Sequence, residues 1–166
     1  MWVKCFCRLK KRSYEAKLEF ARKIENPTLK ALLVSLAYEH LKLAETLRTL
    51  FNVEYEDVDP FSKECRKVLG TGILDSIAKA KAKIREIFSK EKATTSDVEE
   101  LLKMLRVIND TSKGCLLSIA KIAKPSIAKV IVLLAETQDA FYKSIEKYLR
   151  EELKGGGVKY ETLKPR

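Results

Sequence analysis

A stripe of leucines broken by one histidine constrains this chain more than any other stretch. Across residues 26–50, NPTLKALLVSLAYEHLKLAETLRTL, the positions Leu29, Leu33, Leu36, His40, Leu43, Leu47 and Leu50 recur at intervals of 4 and 3. That spacing lays all seven along one face of an α-helix. His40 is the only histidine in the protein, and it stands at the centre of the stripe. Such a helix must bury its apolar face against partners.

The chain supplies them. Residues 9–25 present Tyr14, Leu18, Ala21 and Ile24 at helical spacing, and Pro27 starts the next helix after the shortest of links. A proline suits the first turn and disfavours a helical residue before it. Residues 97–123 carry Val98, Leu101, Leu105, Ile108, Ser112, Cys115, Ile119 and Ile122, and residues 125–154 carry Ile127, Val130, Leu134, Thr137, Phe141, Ile145 and Tyr148. Pro125 makes the second junction as tight as the first, so each pair of helices folds back as an antiparallel hairpin. The segment between the hairpins, residues 52–96, has an acidic loop (52–60) and a short turn (61–69). It also has a helix over 73–90, with Ile73, Ile77, Ala80, Ile84 and Phe88 inward and Lys79, Lys81 and Lys83 outward. The expectation is an all-α single domain over residues 1–154, closed by Gly155-Gly156-Gly157, with 155–166 as a tail. Two antiparallel hairpins joined by a long crossover containing an extra helix is the connectivity of ferritin-like four-helix bundles.

Composition narrows the setting. No stretch of about 18 uncharged apolar residues occurs, so no membrane span is expected. The opening MWVKCFCRLKKR lacks the apolar run of an export signal, which points to the cytoplasm. Residues 1–24 carry 8 basic and 2 acidic side chains, residues 25–60 carry 3 and 7, and residues 61–92 carry 9 and 4. Lys- and Glu-rich surfaces of this kind are common in heat-adapted proteins. Alternatively, Lys4, Arg8, Lys10, Lys11 and Arg12, interleaved with Trp2 and Phe6, could form a basic face for nucleic acid or another polyanion.

The run KIENPTLKALL at residues 23–33, continued by LAYE at 36–39 and AE at 44–45, resembles the first hairpin of the rubrerythrin-like branch of the ferritin-like superfamily. The resemblance implies a four-helix bundle. It also implies a carboxylate-bridged di-metal centre, held by inward glutamates and Glu-x-x-His pairs. Carried onto this chain, the second-helix glutamate falls on His40 and its histidine on Leu43. The first-helix glutamate falls near Lys11 or Arg12. In the third helix the inward positions are Ser112 and Cys115, with Asp110 beside the stripe. In the last helix the register through Thr137, Phe141 and Ser144 has no Glu-x-x-His, and Glu136 and Asp139 lie off it. The ligands that two metal ions need are missing.

The function expected is therefore a non-enzymatic bundle that has lost its di-metal centre, requires no cofactor, and binds a protein partner or itself. A second reading keeps a single transition-metal ion on His40 with Glu39 or Cys115. As a relic in a packed seam, His40 should be replaceable by leucine without loss of stability. Cys5 and Cys7 form a C-F-C pair that could bind soft metals or oxidise, although its spacing is not that of a Cys-x-x-C motif. Cys65 and Cys115 stand singly, and structural thiols or a staple are expected of the cysteines rather than catalysis.

Overall fold

The computed structural model describes residues 1–22, 27–89 and 95–154. Among them the chain forms helices α1 (Trp2–Arg22), α2 (Pro27–Phe51), α3 (Lys63–Leu69), α4 (Thr71–Ser89), α5 (Thr95–Ile122) and α6 (Pro125–Lys154), and no strand. Ile24, the side chains of Leu29, Phe88 and Val98, and the 155–166 tail lie outside the described residues.

The periodic stripes become the buried faces. On α2, Leu33, Leu36, His40, Leu43 and Leu47 are buried. On α5 the same holds from Leu101 through Leu105, Ile108, Ser112 and Cys115 to Ile119, whereas Ile122 is 86% exposed at the helix end. The two tight junctions produce antiparallel hairpins. Pairs such as Cys7–Ala44 and Lys17–His40 run in opposite directions along α1 and α2, as do Asn109–Asp139 and Arg106–Glu146 along α5 and α6. On α6 the buried set is Ile131, Ala135, Gln138, Asp139, Tyr142 and Ile145. The face expected through Val130, Thr137 and Tyr148 is exposed. The two stripes lie one residue apart, and contact with α5 selects the second.

Helix α1 begins at Trp2 rather than residue 9, and the extra turns matter. They bring Cys5 to Cys65 of α3 in a disulfide. Ser62 caps α3 by accepting the Cys65 N–H at 3.2 Å, and Gly70, at φ +90°, turns the chain into α4 through a conformation that favours glycine. The acidic loop is pinned to α2 by the buried Tyr55, whose hydroxyl donates to Glu45 Oε1 at 2.7 Å. Helix α4 packs on α5, and its Ile73, Ile77 and Lys81 face a cavity that residues of α1 and α5 also line.

The apolar interior is divided. One cluster gathers Phe6, Leu43, Leu47, Leu74, Leu116, Ile119 and Ile131 near the disulfide. The other gathers Leu36, Ile87, Leu101, Leu105, Tyr142 and Ile145 at the opposite end. At mid-height, Lys10, Ser13, His40, Asn109, Ser112, Gln138 and Asp139 are buried between the two.

Candidate functional site

The polar layer is built from one to three side chains of each long helix. On α1, Phe6, Lys10, Ser13 and Lys17 continue a single inward line. Lys10 is 4% exposed, and its Nζ donates to Ser112 Oγ at 2.6 Å while lying 5.1 Å from the Phe6 ring centroid. Ser112 is paired in turn with Gln138 of α6, at 3.0 Å from Nε2 and 3.2 Å from Oε1. From α2, His40 Nε2 lies 3.0 Å from both Lys17 Nζ and the Tyr142 hydroxyl. From α4, Lys81 reaches the same interior.

Lys10, Ser13, Lys17, His40, Lys81 and Ser112 line a cavity of about 20 Å³, completed by Phe6, Leu9, Leu69, Ile73, Ile77, Ile108, Thr111 and Cys115. It has room for one or two waters. A second cavity of about 40 Å³ shares Ser13, Lys17, Lys81 and Ile108 and is otherwise mostly apolar. No Asp or Glu lines either cavity. Three amines and an imidazole thus face one another without a carboxylate.

Burial disfavours a charge that nothing compensates. Desolvation lowers the Lys10 pKa from 10.5 to about 7, with nearby Cys115 opposing and Lys81 adding to the shift. Lys81 falls to about 8, through burial and then repulsion from Arg85 and Arg12. Lys17 lies well below its ordinary value, through burial and then the other two lysines, and His40 is held neutral by burial and by the same three amines. Burial raises the Tyr142 pKa, so its hydroxyl stays protonated beside His40 Nε2. The other ring nitrogen, Nδ1, is a buried atom without a partner.

The residues singled out in the sequence separate into distinct places. His40 and Cys115 line the same cavity, but Glu39 does not; its carboxylate holds Lys42 at 2.6 Å. Among the described residues no three His, Cys, Asp or Glu side chains stand where they could hold an ion. The C-F-C pair is divided, because helical residues two apart point in nearly opposite directions. Cys5 bonds to Cys65, while Cys7 donates its thiol to Ala44 O at 3.5 Å. Burial pushes the Cys7 pKa to about 12, so little reactive thiolate forms. Of the basic N-terminal residues, Lys4, Arg8, Lys11 and Arg12 fall on one side of α1, and Lys10 falls on another. Lys10 is interior, Arg8 pairs with Glu15 and Arg12 with Asp59. Lys11 lies over Tyr14, Phe6 is buried under Trp2, and only Lys4 and Lys11 remain as half-exposed cations.

Asp139, expected to lie off the inward line, is buried in the α5–α6 seam. It accepts hydrogen bonds from Asn109, Lys113 and Lys143 at 2.7–2.9 Å. Those donors hold its pKa far below the usual carboxylate range.

The pairing of His40 reverses the expectation for its replacement. His40→Leu removes one unpartnered Nδ1 but strands both the Tyr142 hydroxyl and the Lys17 amine. Each stranded group costs about 1–3 kcal/mol, so the variant should be less stable than the parent in urea melts. His40→Leu combined with Tyr142→Phe should recover part of that loss, since removing both partners is the less costly change. Equal or greater stability of the single variant would show that the imidazole is not held by these contacts. No family model, curated protein or solved structure matches the chain.

Proposed function

We propose that this chain is a non-enzymatic ferritin-like bundle whose core, in place of a di-metal centre, binds a small anion. The observation that carries the reading is the inner cavity itself. Lys10, Lys17, Lys81 and His40 converge on it from three helices, and no carboxylate lines it. Where the ferritin-like resemblance calls for acids that hold cations, this chain places bases. In their protonated form, amines at such a site repel Fe(II) or Mn(II) and attract negative charge. Entry of an anion would restore the charged form of lysines that burial holds towards neutrality, so binding should take up protons.

Cavity size limits the ligand to a few atoms, which favours formate- or bicarbonate-sized species over phosphate. The test is a thermal-shift and calorimetric series at constant ionic strength and pH 7, with formate, bicarbonate, chloride and phosphate as probes. Formate or bicarbonate should raise the melting temperature of the parent, with binding heat that varies with the ionisation enthalpy of the buffer. Lys17→Met and Lys81→Met should weaken the effect. Iron(II) should not be retained at two ions per chain. A flat anion series, or two tightly held iron ions, would overturn the reading.

A further inference from the structure

We propose that the anion of this site is made in place, by addition of carbon dioxide to the side-chain amine of Lys10 to form a carbamate. The inference rests on the anion-binding reading of the same cavity and names the source of the charge. Two features of the cavity support it. Its walls include Phe6, Leu9, Leu69, Ile73, Ile77 and Ile108, so an ion arriving from water must shed its hydration against an apolar lining. A small neutral molecule enters without that cost. The space beside the amine, about 20 Å³, admits only a molecule about the size of one or two waters.

The second feature is the neighbourhood of the Lys10 nitrogen. It meets Ser112 Oγ and the Phe6 ring, and neither is an anion that would hold it as an ammonium. The charged and titratable groups that share its cavity are Lys17 from α1, His40 from α2, Lys81 from α4 and Cys115 from α5. Tyr142 from α6 stands behind His40. Burial, helped by Lys81 and opposed by Cys115, brings the amine to a pKa of about 7, so near neutral pH a large share is unprotonated and nucleophilic. The amine lone pair forms a bond to the carbon of CO2, and one carbon–oxygen π bond becomes the charged oxygen of a carboxylate. One proton leaves the nitrogen for a neutral amine nearby, Lys17 or Lys81. The products are a carbamate on Lys10 and a new ammonium, so charge and protons balance within the cavity. The carbamate then supplies the anion that Lys17 and Lys81 lack. His40, with an unpartnered buried Nδ1, lines the same wall.

The experiment is carbon-13 NMR of the intact protein at pH 8 with labelled bicarbonate in equilibrium with CO2. Triethyloxonium trapping and peptide mapping of the parent follow. One carbamate signal per chain is expected, with the ethyl carbamate mapped to Lys10. It should vanish in Lys10→Met and persist in Lys11→Met, whose side chain lies outside the cavity. Mapping on the parent decides the matter even if Lys10→Met folds poorly. Stabilisation by formate and bicarbonate alike, with trapped label confined to the N-terminal amine or exposed lysines, would overturn the carbamate and leave the anion site standing. Absence of both stabilisation and label would sink the two together.

Discussion

Reducing the Cys5–Cys65 bridge should lower the unfolding free energy by about 4 kcal/mol. The bond links positions 60 residues apart, and closing a loop of that length removes about this much chain entropy from the unfolded state. No ion pair near it offers a comparable effect. Arg12 and Asp59 meet at 3.5 Å with both side chains well exposed, and such pairs contribute at most about 1 kcal/mol. The structural consequence should be local at first. Helix α3 has 7 residues, too few to persist alone, and it is held to α1 by the disulfide and by the burial of Cys65 and Leu69. Once the bridge is reduced, the segment spanning residues 52–70 should become the preferred site of proteolysis, while α2, α5 and α6 stay protected. Because Cys7 is buried with a raised pKa, the bridge should not reshuffle in the folded protein. Denaturation curves of parent and Cys65→Ser, each with and without reductant, are the measurement. Coincident curves for the oxidised and reduced parent would remove the disulfide from any account of stability.

The helices were legible in the sequence because their apolar stripes repeat without a break and because Pro27 and Pro125 leave no room for anything but tight reversals. The site was not, and Lys81 shows why. Periodicity sorts residues by hydrophobicity, so a lysine beside an apolar stripe is assigned to water. Its four-carbon stem nevertheless packs well in an interior, and Lys81 faces the cavity. The signal in α1 was present in another form. Phe6, Lys10, Ser13 and Lys17 follow the same 4-3-4 rhythm as the leucines of α2, so the buried line of α1 passes through two lysines. Following apolar residues alone led instead to Tyr14 and Leu18, which are half-buried. His40 was found because it interrupts a leucine stripe, but its partners were not. Tyr142 lies 102 positions away, and its place depends on a one-residue choice of register in α6. The pairing of Cys5 with Cys65 needed the first helix to start at Trp2, earlier than the stripe through Tyr14 and Leu18 indicated.

Between about pH 7 and pH 9 the protein should gain stability as the solution becomes more alkaline. Lys10 titrates at about 7 and Lys81 at about 8 in the fold, against 10.5 for the ordinary side chain. Lys17 is also lowered. A depressed folded pKa means that the unfolded chain carries protons in this window that the folded chain has released. Stability therefore rises with pH above the folded pKa, and is lost as pH falls from 10.5 towards 7. One such amine gives about 1.4 kcal/mol per pH unit, and at least that slope is expected. The upper limit comes from the thiols. Cys7 and Cys115 are raised above 9.0 in the fold, so they stabilise below that pH and oppose the trend above it. Lys10→Met should remove one amine from the cluster. At pH 7 the variant should be about 1–4 kcal/mol more stable than the parent, as when a costly buried charge gives way to an apolar side chain, and Ser112 keeps Gln138 as its partner. Its stability should also climb less steeply with pH. Lys4→Met, half-exposed at the N-terminus, should change neither quantity. Urea unfolding at several pH values in CO2-free buffer measures both, since a carbamate on Lys10 would otherwise offset the penalty. A flat profile for the parent, or a Lys10→Met variant weaker at pH 7, would mean that these amines keep their charge in the fold.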